Sequence, residues 1–275
     1  MPELPEVETI RRFLKKHILN NEISAVNIKL DKIVQEDKKL FIKHLKKTSI
    51  TDIKRQGKYF IFVLSNGYYL IIHLKMSGQI LYVPHEAEII KHIHVIISFK
   101  NSDFDLRFKD VRQFGYMLTL KSSELQKYLQ KRIGSDILDV KLSEFKQTLK
   151  SKHRIIKSLL LDQKLYAGIG NIYANEALFI AGIHPASKSS NLSDNQISKL
   201  YIAIQEVLKL AIKLGGSSIG DYVLPDNSIG SFQKRHKIYQ KDGQACPVCK
   251  TNIQCIKQGG RSTWYCPKCQ KIKRT

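Results

Sequence analysis

No stretch of this chain approaches the ~18 consecutive apolar residues that a bilayer-spanning helix requires. Its opening, Met1-Pro2-Glu3-Leu4-Pro5-Glu6, is acidic, with no basic segment feeding an apolar one. Membrane-spanning and secreted readings are set aside, and a cytoplasmic location is expected. Cysteine is scarce, five residues in 275; the number is odd, and four of the five fall in the last thirty positions. That distribution excludes a disulfide framework and points to a reducing compartment and a bound metal. Acidic residues are few as well, 24 against 46 lysines and arginines, for a formal charge of +22. Such a molecule repels itself and suits a polyanionic partner, with nucleic acid the first choice. Internal repeats and low-complexity tracts are absent. With 43% hydrophobic and 9% aromatic residues, the chain can bury a core for about two domains, which excludes wholesale disorder.

Val7, Ile10, Phe13, Leu14 and Ile18 recur at helical spacing after two prolines, so a first helix is expected to start near Pro5 and to leave residues 1–4 extended. Between residues 23 and 120 the pattern turns to short β-rich segments, at 23–30, 50–53, 59–64, 68–74, 80–83, 94–99 and 114–120. Ser65-Asn66-Gly67 is a hairpin signal between two of them, because Asn and Gly accept the backbone of a tight turn. Many short strands so spaced favour a β-sandwich or a barrel. Helical periods return beyond Lys121, at 123–132, 143–149, 155–162, 171–180 and 194–214, and mark a second, helical domain. Residues 215–232, with four glycines, one proline and no clear period, read as a long loop of the kind that often carries function.

Cys246-Pro-Val-Cys249 and Cys266-Pro-Lys-Cys269 stand sixteen residues apart, the spacing at which two turn-like knuckles deliver four thiolates to one tetrahedral Zn2+. Cysteine fills all four positions and leaves none for water, so the zinc is expected to be structural rather than catalytic. Cys255 reads as a small ordinary residue outside the ligand set. The metal would hold the intervening hairpin, residues 254–265, with Gly259-Gly260-Arg261 near its tip.

A proline at position 2 permits removal of the initiator methionine and would expose a secondary amine. An α-amine of pKa ~7.7–8.0 is about one-tenth neutral at pH 7, whereas a lysine at ~10.4 offers about a hundredfold less free base. Such an amine adds to a sugar C1′ aldehyde or its equivalent and gives an iminium, an electron sink of the Schiff-base kind.

Five segments in order then carry a resemblance: Pro2-Glu3-Leu4-Pro5-Glu6-Val7-Glu8-Thr9, Gly57-Lys58-Tyr59, His73-Leu74-Lys75-Met76-Ser77-Gly78, Gly168-Ile169-Gly170-Asn171 with the helix after it, and the four-cysteine tail. Together they resemble the bacterial formamidopyrimidine-DNA glycosylases, which excise oxidised purines from DNA. The resemblance implies an α+β fold: a β-sandwich with a leading helix over residues 1–131, a helix-two-turns-helix domain over 132–232 with a lesion-covering loop near 215–232, and a zinc finger over 237–271. It implies damaged double-stranded DNA as partner, one structural zinc as cofactor, and a monomer. Pro2 would attack C1′ and Glu3 would move protons at the sugar and the departing base. Lys58 would be the acid in β-elimination, and Arg261 would grip phosphates at the lesion and assist δ-elimination. A flipped-out nucleotide leaves a gap in the duplex, which Met76, Arg112 and Phe114 would fill. His92, Lys152, Lys157 and Asn171 would contact DNA, Asn171 also serving as N-cap of the helix that follows it.

The chain departs from the family's usual pattern at Gly220, where a basic residue is frequent, and at Ile93, Phe13 and Gln113. None of these removes a residue assigned to chemistry, and Gly220 bears on base selectivity. Two rival readings remain open on sequence grounds: an endonuclease VIII-type enzyme for oxidised pyrimidines, and a non-catalytic zinc-ribbon protein that binds nucleic acid by charge.

Overall fold

The computed structural model describes residues 2–220 and 222–272; Met1, Asp221 of the glycine-rich loop and residues 273–275 lie outside the described residues. The chain divides into two units, Met1–Lys131 with Leu214–Gln233, and Arg132–Lys213 with Lys234–Thr275.

In the first unit, α1 (Leu4–His17) buries Val7, Ile10 and Leu14 along one face. A capping box closes its first turn: the Glu3 N–H donates to Glu6 Oε2 at 2.8 Å, and the Glu3 carboxylate accepts the N–H of Glu6. The helix therefore starts one residue before Pro5, which costs nothing because a proline in the first turn has no hydrogen bond to forfeit. Eight strands follow: β1 (Ile23–Ile28), β2 (Ile50–Gln56), β3 (Tyr59–Leu64), β4 (Tyr68–His73), β5 (Gly78–Pro84), β6 (Ile93–Phe99), β7 (Phe104–Asp110) and β8 (Tyr116–Lys121). They form two separate antiparallel sheets, β1-β6-β7-β5 and β2-β3-β4-β8, which decides for the sandwich over the barrel. One apolar cluster draws on both, with Val95, Ile97 and Phe108 from the first sheet, Phe60, Phe62 and Ile72 from the second, and Val7, Ile10 and Leu14 from α1. Each such fully buried side chain stabilises the fold by roughly 1.5–3 kcal/mol.

Two elements carried no clear signal. Strand β7 is rich in charge, yet Asp105, Arg107 and Asp110 are buried, and the Arg107 guanidinium donates to the main-chain carbonyls of Pro84, His85, Ala87 and Glu88. Helix α2 (Lys38–Leu45) buries only Phe41 and Leu45 and is set by its cap, Asp37, whose carboxylate accepts the N–H groups of Lys39 and Leu40. Helix α3 (Ser122–Gln130) closes the unit. The segment Leu214–Gln233 belongs with the sandwich and not, as the sequence reading has it, with the helices. Its Ser217 N–H donates to Glu6 Oε1 at 2.8 Å, and Tyr222 is buried in the sandwich core.

The second unit contains α4 (Leu142–Ser151), α5 (Ile156–Leu160), α6 (Asn171–Ile180), α7 (Asp194–Lys213), the two-residue parallel strands β9 (Ser135–Asp136) and β10 (Tyr166–Ala167), and the hairpin β11 (Gln254–Gln258) and β12 (Arg261–Tyr265). Helix α6 is buried on nearly every side and packs on α5, α7 and β12. The hairpin turns through Gly259 and Gly260 at φ +55° and +73°, a pair of left-handed residues that glycine supplies without strain. No helix among the described residues is long and apolar enough to cross a membrane.

Candidate functional site

In the first unit, Pro2 lines a cavity of about 220 Å3 together with Met76, Arg112, Ile219, Gly220 and Tyr222. Glu3, the residue after Pro2, is buried at the N-terminus of α1. The cavity thus joins Pro2, two of the three residues assigned to gap filling, and the glycine-rich loop. Gly220 adopts φ +66° with nothing within 4 Å of a Cβ built on it, so the loop meets the cavity there with main chain alone.

Met76 and Phe114 are not core residues. They are 43% and 51% exposed, although flanking strands are buried, and both border a second cavity of about 510 Å3 with Lys32, Gln35 and Lys75. Arg112, also exposed, lays its guanidinium over the Phe114 ring, 4.8 Å from the centroid. His92 sits half-buried at the start of β6.

Lys58 is buried in the β2–β3 turn, and Arg55 shapes that turn by donating to the Gly57 carbonyl at 2.9 Å. Arg55 in turn contacts Glu8 of α1 at 3.1 Å. Burial opposes charge on Glu8, but hydrogen bonds from Arg11 and Arg12, with the fields of Arg11 and Arg55, outweigh it and hold the carboxyl down to about 2. Burial, then the charges of Lys75 and Lys58, pushes His73 down to about 3, and its Nδ1 accepts the Lys75 N–H at 2.9 Å. The imidazole is consequently neutral and fixes the turn before Met76.

In the second unit, Lys152 is exposed and its carbonyl accepts the Ser189 hydroxyl. Lys157 is 1% exposed, and its ammonium donates to Ser262 O at 3.2 Å and Thr263 Oγ1 at 2.6 Å on β12. Asn171 is not the N-cap. Gly170 holds that position; Asn171 is the first residue of the helix, and its side-chain amide donates to Ser262 O at 3.1 Å. Both residues therefore seat the hairpin whose tip carries exposed Arg261. Sequence reasoning passed over two acids. Glu176 of α6 is buried and accepts the N–H groups of Lys237, Ile238 and Tyr239 ahead of the cysteine module. Asp110, at the end of β7, is fully buried two residues before Arg112, and that adjacency is its only trace in the sequence.

The Sγ atoms of Cys246, Cys249, Cys266 and Cys269 all lie within 4.8 Å of one another, with Cys246–Cys269 at 3.9 Å and Cys249–Cys266 at 3.3 Å. Four sulfurs at 2.3 Å from a tetrahedral zinc stand about 3.8 Å apart, so the set fits that ion. Each knuckle closes alike, Lys250 N–H on Cys246 O at 3.0 Å and Gln270 N–H on Cys266 O at 2.9 Å. Burial pushes the Cys266 and Cys269 thiols up, so a cation is needed to hold all four as thiolates. Cys255 is exposed on β11, outside this set.

Three family models match in succession: the formamidopyrimidine-DNA glycosylase N-terminal domain over residues 1–117, the formamidopyrimidine-DNA glycosylase H2TH domain over 133–223, and a zinc finger found in FPG and IleRS over 243–272. A formamidopyrimidine-DNA glycosylase of Shouchella clausii is 44% identical over 278 residues, covering 98% of this chain and 99% of that one. The crystal structure of a Lactococcus lactis FPG mutant with a Fapy-dG containing DNA superposes with a TM-score of 0.93 at 38% identity, covering 98% of this chain and 100% of the other. The structure of MutM with carbocyclic 8-oxo-G containing DNA gives a TM-score of 0.91 at 38% identity, with the same coverage.

Proposed function

The chain belongs to the formamidopyrimidine-DNA glycosylase family, and on that premise we propose that it excises 8-oxoguanine and formamidopyrimidines from duplex DNA and cleaves the abasic site through a Schiff base on Pro2. It is a base excision repair enzyme, both DNA glycosylase and abasic-site lyase, working at the nucleoid in the bacterial cytoplasm. The observation that carries the reading is the cavity in which Pro2 meets Met76, Arg112 and the loop at Gly220. Its modest volume suits one extruded nucleotide better than a base pair.

With Met1 removed, the Pro2 nitrogen attacks C1′, the glycosidic bond breaks, and the base departs with a proton. Glu3 serves these proton transfers. The C1′–O4′ bond then opens, with Glu3 giving O4′ its proton, and the resulting iminium acidifies C2′. β-Elimination expels the 3′ phosphate with Lys58 as the acid, and δ-elimination expels the 5′ phosphate with help from Arg261. Met76, Arg112 and Phe114 occupy the gap in the stack, while His92 and Lys152 grip the backbone. Lys157 and Asn171 serve DNA binding through the seat of the hairpin. Zinc, held by the four cysteines, is structural; when bound it neutralises the thiolates and fixes the hairpin. Gly220 leaves recognition of the flipped base at that point to main-chain groups.

Borohydride reduction in the presence of lesion-containing duplex tests the reading. The processed chain should form a covalent adduct, and retention of Met1 or an added N-terminal tag should abolish it. Undiminished trapping with a blocked terminus would refute Pro2 as nucleophile. Faster cleavage of thymine glycol duplexes than of 8-oxoguanine duplexes would refute the purine assignment.

A further inference from the structure

We infer that Asp110 is the positioning residue of the gap-filling side chains: its buried carboxylate holds the turns that carry Met76, Arg112 and Phe114 in the inserting arrangement before DNA arrives. This rests on the insertion role proposed above for those three residues. Asp110 ends β7 opposite Gly78 of β5 and has no exposed surface. Its Oδ1 accepts the Ser77 hydroxyl at 2.5 Å and the Arg112 N–H at 3.2 Å, and its Oδ2 accepts the Gly115 N–H at 2.7 Å. One carboxylate therefore binds the residue that follows Met76 and both ends of the Arg112–Phe114 segment. The main chain of the same residue reaches a third turn, with Asp110 N–H donating to His92 O at 3.0 Å and His94 Nε2–H donating to Asp110 O at 2.8 Å.

Backbone strain lies on these same turns. Lys75, Gln113 and His92 adopt φ of +52°, +55° and +70°, one non-glycine left-handed residue on each. Such conformations persist only where the surroundings over-determine them. Gly115 completes the fit, since a Cβ there would stand 2.7 Å from the Phe108 ring and 3.0 Å from Asp110 Oδ2. Without the carboxylate, buried donors on two of the turns lose their acceptor, the strained residues relax, and the three side chains no longer converge. Asp110 touches no reacting atom; it acts on extrusion of the base, not on the bonds broken.

Two single-turnover rates on one duplex sequence, using the zinc-loaded full chain, separate these effects. Excision of 8-oxoguanine paired with cytosine requires a base to be driven out; cleavage at a preformed abasic site does not. Asp110→Ala should lower excision about tenfold more than abasic-site cleavage. Asp110→Asn, which keeps one acceptor oxygen, should fall between, and Ser77→Ala should shift the ratio the same way by less. Phe114→Ala tests the premise, because an unchanged ratio in that variant refutes the insertion reading itself. A changed ratio for Phe114→Ala with none for Asp110→Ala or Ser77→Ala overturns the inference alone. Proportionate loss of both rates in the Asp110 and Ser77 variants, the mark of a general folding role, overturns it too.

Discussion

His73 shows how one side chain can be committed to structure inside a site full of candidate acids. Burial and two neighbouring ammonium groups carry it to about 3, and the Lys75 N–H occupies its Nδ1, so the remaining proton sits on Nε2. The unfolded chain, with an ordinary value of 6.5, binds that proton more readily than the native state. His73 therefore adds stability that is complete above pH 6.5 and is lost as pH falls toward 3. Nitrogen-15 spectra should find the neutral Nε2–H tautomer at about pH 5; an imidazolium signal at that pH would contradict this assignment. Pro2 and Glu3, by contrast, could be proposed from sequence, Pro2 because an amine near the start of the chain is set apart by position alone and Glu3 because the family resemblance points to it. Asp110 could not, since a carboxylate's value as a hub comes from donors at positions 77, 112 and 115 that only the fold gathers.

At the scale of elements, the hairpin of β11 and β12 was legible to its tip, because Gly259-Gly260 between paired cysteine knuckles admits few other backbones. Strand β7 and helix α2 were not. Charge hides each, buried and paired in β7, exposed and lysine-rich in α2. Lys157, which the family resemblance offers as a DNA contact, is packed against β12 with its ammonium on Ser262 and Thr263. Lys157→Ala should thus weaken duplex binding about tenfold or less while leaving the slope of log affinity against log salt unchanged. A drop of about one unit in that slope would assign the lysine to a phosphate instead.

For the whole molecule, a charge of +22 makes affinity for any polyanion steeply salt-dependent, so salt dependence alone does not separate catalyst from passive binder. Metal removal is more telling. Chelating the zinc, or Cys249→Ser, should loosen the hairpin and weaken binding to lesion duplex, whereas equal binding after verified metal loss would contradict the structural role. The sandwich, the helical unit and the cysteine module were each legible from periodicity and spacing. The attachment of Leu214–Gln233 to the sandwich was not, because it depends on Glu6 and the Tyr222 core contact, more than two hundred residues apart in the chain from α1 to the loop.

The cysteine module also holds the chain's single tryptophan. Trp264 is almost wholly enclosed, its indole N–H on Asp242 at 2.9 Å and its ring edge-on to Tyr239, in a cluster that includes Cys246 and Cys266. Indole emission at long-wavelength excitation is consequently an intrinsic optical gauge of that module, free of background from elsewhere in the polypeptide, so a red shift would report its opening in real time without any attached dye.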